Sequence, residues 1–169
     1  MESRNPRRLI NPLWLEIDIL EEMCIMIDIP ILLVEDNPDD VLIMRRSWKK
    51  RDIRNPLYVV NDGEEALQFL KREGNYAGAP TPGLILLDLK MPKKDGFEVL
   101  ENIKRDKLLR SIPVIILTSS DRDKDIKSAY QLGCNCYIVK PVSSKKLDEI
   151  VFKIREFWLN LCKTPSYPS

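Results

Sequence analysis

The chain has 169 residues, enough for one domain of ordinary size with some additional segment, and its 27 basic residues nearly balance its 26 acidic residues. The formal net charge of +1 provides no overall field that would attract nucleic acid or an anionic membrane. Histidine is absent, which excludes Ser-His-Asp hydrolysis, histidine-ligated zinc and histidine phosphocarrier roles. The four cysteines lack paired CxxC motifs, so we expect reduced thiols and a cytoplasmic protein.

The N-terminal region differs from the rest of the chain. Acidic residues interrupt its apolar stretch, so we predict neither a signal peptide nor a membrane span. We expect residues 1–27 to be an extension, and Met23 or Met26 is an alternative start of the protein. A single domain is predicted at 28–160, followed by a tail at 161–169.

From Ile31 onward, short runs of branched apolar residues alternate with stretches of helical periodicity. Each run is too short for a helix, and its continuous apolar character is typical of a strand buried on both faces of a sheet. The predicted strands are Ile31–Val34, Leu57–Val60, Leu84–Leu87, 113–117 and 134–139. The helices are predicted after Asn37-Pro38-Asp39-Asp40, around 66–70, from Asp95-Gly96 to about 103, at 125–132, and from about 147 to 161.

The last helix carries apolar residues at spacings of three and four, which predict one continuous buried stripe. Its members are Leu147, Ile150, Val151, Ile154, Phe157, Trp158 and Leu161.

Five strands alternating with five helices predict a parallel sheet, because each parallel return requires a right-handed crossover through a helix. The expected fold is an α/β three-layer sandwich. At five strands, the flavodoxin-like (βα)5 arrangement with sheet order 2-1-3-4-5 is the natural candidate.

Four of the predicted strands end on, or one residue before, a polar group. Glu35 and Asp36 follow the first strand, Asp88 the third, Thr118 the fourth and Lys140 the fifth. Because the carboxyl ends of parallel strands share one edge of a sheet, these groups are expected to converge in one shallow cleft.

The three carboxylates in this set would repel one another, and a divalent cation would offset that repulsion. Oxygen ligands without histidine or cysteine select a hard ion, and Mg²⁺ is the usual choice where a phosphate completes the coordination. Asp88 could then attack phosphorus, while Lys140 balances charge on the phosphoryl oxygens and the Thr118 hydroxyl donates a hydrogen bond. The predicted product is an aspartyl phosphate.

The motifs around these residues resemble those of two-component response-regulator receiver domains, over about residues 28–160. The matching segments are Leu-Val-Glu-Asp-Asn at 33–37, Leu-Asp-Leu-Lys-Met-Pro at 87–92, Asp-Gly at 95–96, Leu-Thr-Ser at 117–119 and Tyr-Ile-Val-Lys-Pro at 137–141. Their order and spacing together make the resemblance specific.

The resemblance implies that a sensor histidine kinase transfers a phosphoryl group from its phosphohistidine to Asp88. It further implies direct Mg²⁺ ligation by Asp36 and by the backbone carbonyl of Lys90, with Glu35 holding the metal through water. Lys90 also places a cation near the phosphoryl group, where we expect it to alter the rate of hydrolysis.

The resemblance assigns three further roles. Lys140 would contact the phosphoryl group, and Thr118 with Tyr137 would form the switch pair that changes the protein surface. Such a protein catalyses only its own phosphorylation and dephosphorylation, so we do not expect an enzyme acting on a separate substrate.

A narrower similarity concerns the single-domain response regulators that partner bacterial phytochrome kinases. It is carried by the segments at 37–40, 74–80, 135–137 and 157–159. If the similarity extends to function, the kinase partner is a phytochrome.

Only 29 residues follow Lys140, too few for a DNA-binding domain beyond the last helix, so we expect output through contacts with a downstream protein. The Phe157-Trp158 pair has two open interpretations, packing in the core or contact with another subunit. Receivers often pair through the fourth helix, fifth strand and fifth helix, and we predict a homodimer through that surface.

Three other functions are alternatives to a phosphorylated receiver domain. A phosphohydrolase of the haloacid-dehalogenase type needs an Asp two residues after its nucleophile, where this chain has Lys90. A flavin-binding electron carrier needs a phosphate loop after the first strand, where Glu35 and Asp36 would repel the phosphate. The main alternative is a receiver-like scaffold that is not phosphorylated and binds its partners constitutively.

Overall fold

The computed structural model describes residues 29–141 and 143–162. The predicted extension at 1–27 and the part of the predicted tail beyond residue 162 lie outside the described residues.

Five parallel strands form one sheet in the order β2-β1-β3-β4-β5, which confirms the predicted topology. The strands are β1 (Ile31–Val34), β2 (Leu57–Val60), β3 (Leu84–Leu87), β4 (Val114–Thr118) and β5 (Cys136–Val139). Every residue of the three central strands is buried, as expected for a parallel sheet covered on both faces.

In the described part of the chain, five α-helices connect and follow the strands: α1 (Pro38–Lys50), α2 (Gly63–Lys71), α3 (Gly96–Arg105), α4 (Asp123–Gln131) and α5 (Ser144–Ile154). Side chains of Asn37, Asp62, Asp95 and Ser143 accept hydrogen bonds from backbone N–H groups at the starts of α1, α2, α3 and α5. These caps satisfy donors that the first helical turn leaves unpaired, and so they determine where each helix begins. A short 3₁₀ turn, Gly74–Tyr76, lies within the long loop before β3.

The alternation of side chains along the strands divides the interior into two apolar cores. Leu32 and Ile85 lie in the core that α2, α3 and α4 cover, whereas Leu33 and Leu86 lie in the core that α1 and α5 cover. The structure is therefore the predicted three-layer sandwich, with the sheet as its middle layer.

The predicted apolar stripe of the last helix is confirmed as far as Ile154 and at Trp158, which packs against the core, but it is wrong at Phe157 and Leu161. After Ile154, α5 passes into a π-helical segment, Arg155–Leu161, which places the next fully buried apolar residue five positions on, at Leu159. Phe157 and Leu161 are instead 51% and 73% exposed. A π-turn contains an additional residue, so it rotates the following side chains away from the face that regular helical spacing predicts.

Two predicted boundaries also shift by two residues. The fourth helix begins at Asp123 rather than at residue 125, and the fifth strand begins at Cys136 rather than at residue 134. Just before β5, Asn135 bonds Val114 twice: its side-chain oxygen accepts from the Val114 N–H, and its backbone N–H donates to the Val114 carbonyl.

Among residues 29–141 and 143–162, none of the helices has both the length and the apolar composition that a membrane span requires.

Candidate functional site

The register of the sheet brings the predicted polar residues to its carboxyl edge. Val34 pairs with Leu87, so the residues that follow them, Glu35 and Asp88, leave the sheet side by side. At the other end of the cleft, the backbone N–H of Lys140 donates to the carbonyl of Thr118 at 2.7 Å, which places Lys140, the residue after β5, next to the end of β4.

Three carboxylates lie close together at this edge. One oxygen each of Glu35, Asp36 and Asp88 lies within 4.8 Å of the others. Glu35 and Asp88 are buried, whereas Asp36 is exposed and faces the opening. The donor set consists of oxygen atoms alone, as a hard divalent cation requires, so the residues present fit the predicted Mg²⁺.

Lys140 forms three ion pairs in this cleft. Its Nζ donates to Glu35 Oε2 at 2.5 Å, to Asp88 Oδ2 at 2.7 Å and to Asp40 Oδ2 at 2.9 Å. The Lys140 side chain is only 9% exposed, and an ammonium has three donors, so each of them is used.

The charges of the cleft are not balanced. Burial raises the pKa of Glu35 from its ordinary 4.5 to about 7, although Lys140 opposes this change. Burial would lower the pKa of Lys140, but the Asp88 and Glu35 carboxylates outweigh it and raise that pKa above its ordinary 10.5. One ammonium among several carboxylates leaves an excess of negative charge, which favours the binding of a further cation.

The loop after Asp88 is held against α2 and α3. The Lys90 N–H donates to Asp88 Oδ1 at 3.1 Å, and Lys93, which has a positive φ of 65°, pairs with the buried Asp62 at 2.5 Å. A Cβ at Gly96 would collide with the carbonyl oxygen of Asp88, so α3 can begin this close to the strand end only with glycine there. The predicted ligand role of the Lys90 carbonyl stays a prediction.

Thr118 and Tyr137, the predicted switch pair, are not hydrogen-bonded to each other. Thr118 is fully buried, and its hydroxyl has no hydrogen-bond partner among the described residues. The Tyr137 hydroxyl donates to the carbonyl oxygen of Ser120 at 3.0 Å, while Ser120 Oγ donates to Asp125. An unpaired buried hydroxyl costs about 1–3 kcal/mol, so Thr118 is available to a ligand oxygen.

Three residues in or beside the site were not singled out by any sequence pattern: Asp40, Asp62 and Ser120. Acidic residues are common in a first helical turn because they suit the helix dipole, so Asp40 carried no distinct signal. Its spacing of four residues from Asp36 was the available indication that it lies near the cleft. Asp62 caps α2, a common role for an aspartate before a helix, and nothing in the sequence singled out the Ser120 carbonyl.

Comparisons with known proteins agree with this geometry. Residues 31–152 match the family described as the response regulator receiver domain. The response regulator Rcp1 of Synechocystis sp. is 42% identical over 136 residues, which are 80% of this chain and 92% of Rcp1.

Two solved structures are similar to the whole described domain. The phosphorylated cyanobacterial phytochrome response regulator RcpA is 44% identical, with a TM-score of 0.79, covering 82% of this chain and 99% of RcpA. The Mn²⁺-bound form of Rcp1 is 42% identical, with a TM-score of 0.77, covering 80% of this chain and 98% of that one. With its sheet order, its acidic cleft and these matches, the chain belongs to the response regulator receiver family.

Proposed function

We propose that this protein is a phosphoacceptor response regulator in which Asp88 receives a phosphoryl group from a sensor histidine kinase, in a reaction that depends on Mg²⁺. The observation that carries the proposal is the contact of Lys140 Nζ with Asp88 Oδ2 at 2.7 Å, beside carboxylate oxygens of Glu35 and Asp36. This arrangement combines a nucleophile, a cation for the phosphoryl oxygens and a donor set for a hard metal ion.

In the proposed reaction, an Asp88 carboxylate oxygen attacks the phosphorus of the phosphohistidine. The new oxygen–phosphorus bond forms as the phosphorus–nitrogen bond breaks, and the imidazole leaves with the electron pair. Lys140 offsets negative charge on the transferred oxygens, and the buried Thr118 hydroxyl donates a hydrogen bond to one of them. When bound by Glu35, Asp36 and Asp88, Mg²⁺ supplies further positive charge that reduces the repulsion between the carboxylates and the phosphoryl group.

The protein in this proposal acts on no separate substrate, because the group that is modified is its own side chain. Its output is a shift in population between two surfaces. Thr118 moves toward the phosphoryl oxygens, Tyr137 leaves the Ser120 carbonyl, and the region around α4 changes its affinity for a downstream protein.

We infer that the kinase partner is a phytochrome. The support is the identity of 42% with Rcp1 and 44% with RcpA, the latter described as a phytochrome response regulator. Phosphotransfer from a purified phytochrome kinase should be faster than transfer from an unrelated sensor kinase at equal concentration. Equal rates with both kinases would contradict this assignment.

A homodimer through α4, β5 and α5 is a further part of the proposal. β5 is an edge strand, and Tyr130, Val139, Phe157 and Leu161 expose apolar side chains along α4, β5 and the π-helical segment. Light scattering with and without beryllofluoride should show a larger mass for the phosphoryl mimic. An unchanged monomeric mass at high concentration would exclude the dimer.

The decisive experiment is phosphoryl incorporation from acetyl phosphate, with and without Mg²⁺. We expect Mg²⁺-dependent labelling of the wild type, no labelling of Asp88→Asn, and normal labelling of Asp121→Asn, a matched substitution at an exposed carboxylate. A folded wild type that takes up no label would instead favour the alternative function, a constitutive receiver-like scaffold.

A further inference from the structure

Lys140 has one acceptor outside the predicted metal-binding group. Two of its partners, Glu35 and Asp88, belong to the three carboxylates whose oxygens lie within 4.8 Å of one another. The third partner, Asp40, bonds Lys140 at 2.9 Å from the first turn of α1. Asp40 therefore approaches the ammonium from a helix, whereas the other two approach it from strand ends.

A divalent cation and Lys140 would compete for the same oxygens. A cation bound by Glu35 and Asp88 draws on the same negative charge that Lys140 uses in this structure, and the two positive charges repel at such short separations. Lys140 stays more firmly beside Asp88 when its ammonium also contacts an anion that the metal does not use. Asp40 meets that condition, because its bond to Lys140 involves none of the predicted ligands.

We propose that Asp40 is a positioning residue that holds the Lys140 ammonium beside Asp88 while a divalent cation is bound by Glu35, Asp36 and Asp88. This inference rests on the phosphoacceptor function proposed above. Without Asp40, the remaining anions around Lys140 are those that the metal needs, so ammonium and metal compete directly. Both metal affinity and phosphoryl uptake then fall.

Asp39 provides a matched control for this role. Asp39 and Asp40 are neighbours in the first turn of α1, where both carboxylates interact favourably with the helix dipole. Asp39 is exposed, and its backbone N–H donates to Asn37, whereas Asp40 is partly buried and paired with Lys140. A difference between Asp39→Asn and Asp40→Asn therefore reports on the contact with Lys140.

The first test is a double-mutant cycle on Mg²⁺ affinity, measured by calorimetry without any phosphoryl donor. Asp40→Asn should weaken Mg²⁺ binding roughly tenfold, the effect of about one charge-assisted hydrogen bond, and Asp39→Asn less than about twofold. In a Lys140→Gln background, Asp40→Asn should have no further effect, because the residue through which it acts is gone.

Equal losses of affinity with and without Lys140 would overturn the proposal, since Asp40 would then act as a general negative charge. Identical behaviour of Asp40→Asn and Asp39→Asn would overturn it as well. Circular dichroism and the thermal midpoint of each metal-free variant verify that the fold is retained, and Asp40→Glu, which keeps the carboxylate, should recover most of the affinity.

The second test is labelling from acetyl phosphate at saturating Mg²⁺. Asp40→Asn should still label more slowly than the wild type, because Lys140 is displaced from Asp88 even when metal is bound. A wild type that takes up no label would overturn the proposed function, and the metal-binding cycle would still decide the role of Asp40.

Discussion

Lys140 and Lys104 lie at opposite edges of the same sheet, and each donates hydrogen bonds to three oxygen atoms. At the carboxyl edge, the three acceptors of Lys140 are carboxylates. At the amino edge, Lys104 donates to the carbonyl oxygens of Arg110 and Ile112 and to Asn135 Oδ1, at 3.3, 3.0 and 3.4 Å. Those oxygens belong to the segments that lead into β4 and β5.

The pKa values of the two lysines shift in opposite directions. Burial lowers the pKa of Lys104 below its ordinary 10.5, and the neighbouring Cys134 opposes this change only in part. For Lys140, the Asp88 and Glu35 carboxylates outweigh the same effect and raise the pKa. The amino edge thus uses a cation to join neutral loops, whereas the carboxyl edge concentrates negative charge that a ligand can use.

Lys140→Met should remove the ion pairs at the carboxyl edge of the sheet, and it should lower the free energy of unfolding more than any other substitution considered in these predictions. Glu35, Asp40 and Asp88 would lose their shared cation, and removing one partner of a buried ion pair costs about 3–5 kcal/mol. Urea unfolding in EDTA should show this loss, and Mg²⁺ should restore part of it by supplying a replacement cation. Equal unfolding midpoints of variant and wild type in EDTA would contradict the prediction.

Lys104→Met should have a smaller effect, about 1–3 kcal/mol, because neutral carbonyl oxygens would lose a donor. This loss of unfolding free energy should be the same with and without Mg²⁺, and the variant should be labelled by acetyl phosphate as fast as the wild type. Since folding lowers the pKa of Lys104, the unfolded chain binds its proton more tightly. The free energy of unfolding of the wild type therefore rises as pH increases toward 10.5. The difference in unfolding free energy between the wild type and Lys104→Met should become larger over that range.

If the stability of Lys104→Met instead depended on Mg²⁺, or if this variant lost its phosphoryl uptake, the amino edge of the sheet would not be independent of the candidate site. Both lysine variants should therefore be measured in the same buffers, with and without Mg²⁺.

Asp148 in α5 should give the smallest effect, because its ion pairs with Lys50 and Arg51 are partly solvated. Those residues, Lys50 first, lower the pKa of Asp148 from 3.8 to about 2. A carboxyl group with a lowered pKa stabilises the fold above its unfolded pKa and loses this contribution as pH falls through its folded pKa. The thermal midpoint of the wild type should exceed that of Asp148→Asn near pH 7, and the two should converge between pH 3.8 and about 2.

A gap that persisted unchanged at low pH would show that the carboxylate charge is not what Asp148 contributes. The result would also sharpen the contrast with Lys140, whose partners Glu35 and Asp88 are buried and whose replacement should give a loss of stability that responds to Mg²⁺.

The strand ends show how much of the candidate site could be predicted. Glu35, Asp88 and Lys140 each follow an apolar run, and parallel topology alone brings such positions to one edge. Asp40 could not be placed in the same way, because its contact with Lys140 depends on where α1 lies relative to β5. The exposure of Phe157 depends on a π-turn, which ordinary helical spacing does not reveal.

By itself, the sequence determined the order of strands and helices, the sheet topology and the convergence of carboxylates around Asp88, because these follow from local periodicity and from the rules of parallel connection. Only the tertiary structure decided which oxygens surround Lys140, where the Tyr137 hydroxyl donates and which face of the last helix is buried. Those features depend on distances between elements remote in the chain, and side chains meet there only after the layers have packed.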